Sequence, residues 1–337
     1  MKMKVSRRVW SALALSTLAM LAGCDRTGPS YTVIEEPEKV VFLSARGNRS
    51  FEIGQRLLLT QLMGGNAGFE LDIQDAGLDA ALQGGQLQAA IAAKPFAILL
   101  DPLQPKDLQG QVRMAEEAGI LVIGLGQDSA DLDCRTYLYT DQKKLGQKVG
   151  ELVIAALQAK AQESGQTETV GRVVEIRGDE QTPDCQHLHE GFESALTAAP
   201  GVILVHDAPG DWTQKGGQER AQDALRLQHT FDIVFAQDDL MALGAAEALK
   251  DRRNDLMIIG INGFRGPQGG TTLVDDGQID ATVYQPMLVD FAWLLLKKKA
   301  QDPKFIPKPS YEMTFRTILP KDVNDIYRNG LPALPEL

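Results

Sequence analysis

The sequence predicts an α/β protein built as two lobes in series, each a doubly wound parallel sheet, and two observations support this. Short, uniformly apolar runs alternate with amphipathic segments across residues 40–261. This rhythm is typical of strands and helices in a parallel sheet that helices cover on both faces. A chain of about 300 residues also exceeds what one hydrophobic core usually serves.

The first lobe is expected to contain four strands separated by three helices. Its predicted elements are strands at 40–43, 69–73, 96–100 and 120–123, with helices at 51–63, 82–93 and 106–119. Residues 126–139 are polar and lack helical periodicity, which predicts that the chain crosses between the lobes there.

The second lobe is expected to repeat the same alternation. Its predicted elements are helices at 142–160, 183–198, 214–227 and 240–249, with strands at 170–176, 202–205, 233–236 and 257–261. The predicted organisation of the whole chain is a signal peptide at 1–23, a tether at 24–38, a first lobe at 39–138 plus 286–312, and a second lobe at 139–285 plus 313–337.

The N-terminal segment has the features of a secretory signal. Four basic residues lie within the first eight, and an apolar stretch from Val9 to Leu21 leads into Leu21-Ala22-Gly23-Cys24. Small residues before a cysteine resemble a bacterial lipobox, which predicts acylation of Cys24 and a lipid-anchored, periplasmic or extracytoplasmic protein. The alternative is an uncleaved anchor helix with an incidental cysteine.

Charge and cysteine content narrow the choice of partners. The formal charge is −11, and without the four basic residues of the signal it falls near −15, which disfavours nucleic acid as a partner.

Cys134 and Cys185 remain after lipidation of Cys24. In an oxidising compartment, two remaining cysteines more often form a disulfide than a metal site. A disulfide between Cys134 and Cys185 is therefore predicted.

Ligands of open parallel sheets bind beyond the carboxyl ends of the strands. Two such sheets facing each other would enclose a cleft whose walls are the residues that follow each apolar run. Carboxylate, amide and aromatic groups are frequent among them, and this mixture suits hydroxyl-bearing ligands. The candidate ligand-binding residues are Arg46, Asn48, Phe51, Asp101, Gln127, Asp128, Trp212, Asp238, Asn262 and Gln285.

Several segments together resemble the periplasmic sugar-binding proteins of the ribose and galactose type, which are related to the LacI-type repressors. The resemblance covers nearly all of residues 40–318. The segments that carry it are Phe96 to Pro102, Ala115 to Ile123, Thr140-Asp141 with Gly146, Phe235 to Ala245, Ile259 to Gly263 and Gly277 to Pro286.

This resemblance implies the type I periplasmic-binding-protein fold with three crossings, and a substrate-binding lipoprotein of an ABC transporter. The implied ligand is a small sugar or polyol, the implied partner is an ABC permease, and no enzymatic activity or cofactor is implied. The alternative is a lipoprotein that presents its closed form to a membrane receptor or kinase. A helix-turn-helix regulator is disfavoured, since a signal peptide occupies the place of that motif.

The family's binding positions carry over one at a time. Asn48 matches an amide that reaches sugar hydroxyls, Phe51 an aromatic that stacks on the ring, and Gln285 a hinge-side hydrogen-bonding residue. Asp238 and Asn262 stand where the family usually has asparagine and aspartate, respectively.

The sequence departs from the family pattern at two places, and at both it lacks charged residues that bind pyranose hydroxyls in the family. Gly126-Gln127 replaces an Asp-Arg pair, and Leu188 replaces an arginine. Arg46, Asp128 or Arg177 could substitute for them.

Some candidates have a structural alternative. Asp239 is expected to cap the helix that starts at Leu240, with Asp238 contacting ligand. Trp212 could stack on ligand or shield its loop, and Phe51 could belong to the core. The run Cys185-Gln186-His187-Leu188-His189 could bind metal, but helical geometry would make these side chains diverge, so no metal site is predicted.

Overall fold

The computed structural model describes residues 36–47, 49–66, 68–228, 230–331 and 334–335. The predicted signal peptide, the lipidation site Cys24 and nearly all of the predicted tether lie outside the described residues, as does Asn48. None of the helices in the described part of the chain combines the length and apolar character that a membrane crossing requires.

The first lobe is built on a six-stranded, fully parallel sheet in the order β11-β5-β4-β3-β1-β2. Its strands are β1 (Glu38–Ser44), β2 (Phe69–Asp75), β3 (Ala97–Leu100), β4 (Leu121–Leu125), β5 (Thr136–Tyr139) and β11 (Ser310–Glu312). Its helices are α1 (Ser50–Gly64), α2 (Ala80–Ala93), α3 (Pro105–Glu117) and α9 (Leu288–Gln301). Helices α1 and α9 bury one face of the sheet, and α2 and α3 bury the other.

The second lobe has a six-stranded sheet in the order β12-β10-β9-β8-β6-β7, in which only β12 is antiparallel. Its strands are β6 (Gly171–Arg177), β7 (Val202–Pro209), β8 (Ile233–Ala236), β9 (Met257–Asn262), β10 (Ala281–Tyr284) and β12 (Arg316–Ile318). Its helices are α4 (Gln142–Glu163), α5 (Pro183–Leu196), α6 (Gln214–Gln228), α7 (Asp239–Ala248), α8 (Gly270–Asp275) and α10 (Pro320–Asn329). Helices α4 and α5 cover one face, and α6, α7, α8 and α10 cover the other.

The predicted fold class is confirmed, because both sheets are doubly wound and lie between two helical layers. The chain crosses between the sheets at residues 140–141, 285–287 and 313–315. The predicted crossing within 126–139 is wrong. That segment holds a 3₁₀ helix, Gln127–Leu132, and then β5, which pairs with β4 inside the first sheet.

The end of the chain contacts both lobes. Leu331 packs against the core of the second lobe, directly after α10. Leu334 packs against the core of the first lobe. The C-terminal residues therefore add a packing contact between the lobes beside the three crossings.

The predicted disulfide is wrong, since both cysteines are free thiols. Cys134 precedes β5 in the first lobe, and its Sγ donates to the Thr136 carbonyl at 3.1 Å. Cys185 is buried in the first turn of α5, in the second lobe. Burial raises the pKa of the Cys134 thiol to about 11 and that of Cys185 to about 12. A disulfide requires two cysteines that lie close together, and their number in the sequence does not report that distance. These two cysteines belong to different lobes.

Close packing of α4 on α5 depends on glycine at position 191. A Cβ atom there would overlap the backbone carbonyl of Lys143 on α4. We expect Gly191→Ala to lower the free energy of unfolding by about 2 kcal/mol, because backbone atoms would have to move. Urea denaturation followed by circular dichroism measures this change.

Gly110 on α3 is the matched control for this substitution. A Cβ atom at position 110 would meet nothing within 4 Å. Gly110→Ala should therefore stabilise the protein by about 0.5–1 kcal/mol through helix propensity alone. Equal effects of the two substitutions would contradict the proposed role of helix contact.

Candidate functional site

The carboxyl ends of the strands in both sheets border a cleft between the lobes. Two small adjoining cavities, of about 50 and 40 Å³, lie in it. The side chains shared by both cavities come from the start of α1, the start of α4, the first turn of α5 and the second crossing. These shared residues are Arg49, Phe51, Gln142, Asp184 and Gln285.

Most predicted ligand-binding residues of the described chain line this cleft. Those in the cavity nearer the first lobe are Phe51, Asp101, Gln127 and Gln285. Those in the cavity nearer the second lobe are Phe51, Trp212, Asp238, Asn262 and Gln285. Arg46 instead lines a separate outer cavity beside Trp212. Asp128 lies in the 3₁₀ helix and is absent from the lining of both cleft cavities. The ligand-binding role of these residues stays a prediction.

The sequence-based prediction that Asp239 caps α7 is wrong. Asp238 is the N-cap residue, and its Oδ1 accepts the Met241 N–H at 2.7 Å. Its Oδ2 accepts the Ser50 hydroxyl of the first lobe at 3.0 Å, so this carboxyl group joins the two lobes. Burial raises the pKa of Asp238. Asp238 therefore both caps α7 and lines the cleft.

Asp239 is a buried structural residue. Its carboxyl group accepts hydrogen bonds from the Gly263 and Gly270 N–H groups and from the Thr282 hydroxyl. Burial raises the pKa of Asp239 to about 8, although these donors oppose the shift. The side chain ties α7 to the loop after β9 and to β10. It thereby holds the loop that follows Asn262.

Arg49 is the principal cleft residue that sequence reasoning missed. Its Nε lies 2.8 Å from both carboxylate oxygens of Glu52, and its Nη2 also contacts Glu52. The guanidinium reaches the second lobe, where it lies 3.6 Å from Asp184 Oδ2 and 5.0 Å from the Trp212 ring centroid. Burial alone would lower the pKa of Arg49, but the carboxylates of Glu52 and Asp184 raise it. The only sequence signal was the three-residue spacing of Arg49 and Glu52 at a helix start.

Asp101 and Thr140 form the first-lobe floor of the cleft. The Ala45 N–H donates to Asp101 Oδ2 at 3.1 Å. Burial raises the pKa of Asp101 to about 7, and the nearby Glu52 carboxylate adds to the shift. The Thr140 hydroxyl is buried without a hydrogen-bond partner. Both groups are therefore available to a ligand.

Hydrogen-bonded amide side chains form a row along the back of the cleft, beside the first and second crossings. Gln142 Nε2 donates to Gln285 Oε1 at 3.2 Å, and Gln285 Nε2 donates to Asn262 Oδ1 at 2.8 Å. The Gln127 side chain accepts the Gln142 N–H at 3.3 Å. Asn262 has a φ of 112°, a strained value for a residue other than glycine. The hydrogen bond from Gln285 holds the strained residue in place beside the hinge.

The second-lobe wall rests on a buried carboxylate. Glu175 is fully buried in β6, and its oxygens lie 2.9 Å from Gln237 Nε2 and 2.7 Å from His189 Nδ1. The hydrogen bond to Glu175 raises the pKa of His189. Gln237 Oε1 accepts the Gly178 N–H, and a Cβ atom on Gly178 would overlap the Trp212 indole. The network therefore sets the position of the aromatic wall.

The histidines near Cys185 diverge on α5, as helical geometry requires. His189 points to Glu175, Cys185 is buried, and the Nδ1 atom of His187 is buried without a partner. Among the described residues, His, Cys, Asp and Glu side chains form no group of three that could hold a metal ion.

Comparison with known proteins identifies the architecture around this cleft. Residues 61–292, more than half of the chain, match the periplasmic binding protein domain family. The chain belongs to this family. Because the family is a class of substrate-binding proteins, this chain is a solute-binding protein and not an enzyme, with a periplasmic or extracytoplasmic location.

Individual relatives agree with the family assignment. The binding protein is 27% identical to the ribose import binding protein of Escherichia coli (strain K12) over 219 residues, which cover 65% of this chain and 69% of the relative. A solute-binding protein from Actinobacillus succinogenes 130z, solved with bound D-allose, has a TM-score of 0.72 at 19% identity and covers 86% of this chain and 99% of its own. A galactofuranose binding protein has a TM-score of 0.71 at 20% identity, covering 87% and 98%. The two structures establish the fold.

Proposed function

We propose that this protein captures a small sugar or polyol between its lobes and delivers it to an ABC importer. The observation that carries the proposal is the interlobe cleft, which both lobes line with carboxyl and amide groups and one indole. Hydroxyl groups need acceptors such as carboxylate and amide oxygens, and the apolar face of a sugar ring packs on an aromatic ring.

The relatives support the same ligand class. Several are import binding proteins for ribose or D-apiose, and one structural neighbour from Bacillus halodurans C-125 holds myo-inositol. Delivery to an importer follows from the role of these relatives. The alternative role, in which the closed form is presented to a receptor or kinase, stays a prediction from the sequence.

We also propose that Cys24 is lipidated and anchors the protein to a membrane. The support is the basic N-terminal residues, the apolar run and the small residues before Cys24. A shift in the mass of the exported protein by an acylated glyceride, lost in Cys24→Ala, tests this point. An unmodified, uncleaved N-terminus would contradict it.

Ligand capture between the lobes requires a hinge, and the amide row at the crossings fits that role. Gln142 directly follows the first crossing and Gln285 belongs to the second, and the two side chains are hydrogen-bonded to each other. Closure around a ligand would keep these short connections in place while the two rigid sheets rotate.

The test is a thermal-shift screen of the purified protein against monosaccharides and polyols, with nucleosides and amino acids as other classes. A compound that binds only the folded state must raise the melting temperature. We expect a shift with one sugar or polyol, and loss of that shift in Asp238→Ala and in Asn262→Ala. A shift with a nucleoside or amino acid alone, or with no compound, would contradict the proposed ligand class.

A further inference from the structure

The charges that line the interlobe cleft are unbalanced among the described residues. Four carboxyl side chains line the two cavities, those of Glu52, Asp101, Asp184 and Asp238. One guanidinium, that of Arg49, lies among them. The other polar side chains of the lining are neutral amides and hydroxyls. When these carboxyl groups are ionised, a lining of this composition favours a ligand that brings positive charge.

The single guanidinium is already committed to protein groups. Arg49 donates to both oxygens of Glu52, lies over the Trp212 ring and approaches Asp184. This arrangement pairs the Nε–Nη2 edge of the guanidinium with the Glu52 carboxylate. That edge is therefore not open to a ligand.

The charge of the Asp101 carboxyl group is only partly compensated by its neighbours. One of its oxygens accepts a neutral backbone N–H, from Ala45. The charged groups that act on it are Glu52, which raises its pKa, and Arg49 and Arg46, which lower it. Burial and Glu52 prevail and bring the pKa to about 7. A cation placed beside this group would gain a carboxylate partner and relieve its repulsion from Glu52.

The neighbours of Asp101 can hold such a cation. Gln55 and Thr140 line the same cavity. Gln55 Oε1 already accepts the Val289 N–H at 3.3 Å, and its second lone pair can accept another hydrogen bond. Thr140 is only 4% exposed, and its hydroxyl group has no hydrogen-bond partner in the protein. An ammonium group donates three hydrogen bonds and accepts none, so it suits a floor of acceptors.

We propose that the ligand is a protonated amino sugar or amino polyol whose ammonium group binds at Asp101. This rests on the proposed function and narrows its ligand class. The hydroxyl groups of the same molecule would meet the amides and Asp238, and its apolar face would pack on Trp212. With a neutral sugar, Asp101 would have to take up a proton or remain ionised without a counter-charge.

The first experiment compares matched pairs that differ by one amine. Isothermal titration at pH 7 measures the Kd of D-glucosamine against D-glucose, D-galactosamine against D-galactose, and a monoamino inositol against myo-inositol. We expect the amine of at least one pair to bind at least tenfold tighter than its neutral partner. If neutral members bind as well as or better than the amines, the inference fails and the proposed function stands. If no compound of these pairs or of the earlier screen binds, both fail.

The second experiment assigns the preference to Asp101. Asp101→Asn keeps an oxygen for the Ala45 N–H but removes the charge, so the advantage of the amine over its neutral partner should fall at least tenfold. Asp107→Asn removes the same charge from an exposed position on α3 and should leave the preference unchanged. Circular dichroism checks that each variant is folded, and Asp184→Asn serves as a second cleft variant if Asp101→Asn is not. A preference that survives both cleft substitutions would overturn the proposal.

The pH dependence of binding provides an independent readout. A bound ammonium favours the ionised carboxylate, so affinity should be lost as the pH falls through the pKa of Asp101, and it should also be lost at alkaline pH where the amine of the ligand loses its proton. For a group with a pKa of about 7, the affinity should rise roughly fivefold between pH 6 and pH 7. The same amine should give a flat profile with Asp101→Asn over this range. A flat profile with the native protein would overturn the proposal.

Discussion

Replacing Arg49 by methionine is expected to lower the free energy of unfolding by about 3 kcal/mol, since it removes one partner of a buried ion pair. Glu52 is only 3% exposed, so water cannot replace the guanidinium that its carboxylate loses. Methionine retains an unbranched apolar stem, which limits the loss of packing. The measurement is urea denaturation at pH 7 without ligand.

A double variant separates the charge effect from the packing effect. Adding Glu52→Gln to Arg49→Met removes the unpaired charge, and it should recover most of the lost stability. Arg113→Met is the control, because Arg113 pairs with Asp133 at 3.5 Å on the exposed surface and should contribute less than about 1 kcal/mol. A double variant no more stable than Arg49→Met would show that lost packing dominates.

Replacing Trp212 by alanine is expected to weaken ligand binding about a hundredfold, equivalent to about 3 kcal/mol. The indole lines the inner cavity with Asp238 and also the outer cavity with Arg46, so it forms the wall between them. Its removal would open the site to solvent and delete the only tryptophan face that the described lining offers to a ligand. Titration calorimetry with the compound identified by the screen measures the change.

Gly178→Ala tests the same wall without altering the indole itself. A Cβ atom at position 178 would overlap the Trp212 ring and displace it, so affinity should fall about tenfold. Gly85→Ala on α2 is the matched control, because a Cβ atom there would meet nothing within 4 Å. Native affinity in both Trp212→Ala and Gly178→Ala would show that the ring merely shields its loop.

The strands that sequence reasoning placed best are those buried on both faces. All four residues of β3 are buried, and their continuous apolar run, Ala97-Ile98-Leu99-Leu100, marked the strand. β5 was missed because its residues are alternately buried and partly exposed, and because polar residues precede it. A short strand beside the last strand of a sheet has no apolar run that would reveal it.

Some of the cleft residues could be predicted from the sequence and others could not. The rule that parallel strands end at a common edge was sufficient to select Asp101, Gln127, Asp238 and Asn262 as lining residues. Arg49, Glu52 and Asp184 were missed because they lie in the first turns of helices or just before one. Their position depends on how closely the lobes approach each other.

The sequence by itself therefore determined the two-lobed α/β fold and the edge of each sheet at which a ligand would bind. Strand and helix periodicity report the burial of each segment, and that burial dictates the fold. Tertiary structure alone decided that Asp238 rather than Asp239 caps α7, that Cys134 and Cys185 stay apart, and which charges meet across the cleft. Those outcomes depend on distances between segments remote in the chain, and no local pattern of residues encodes such distances.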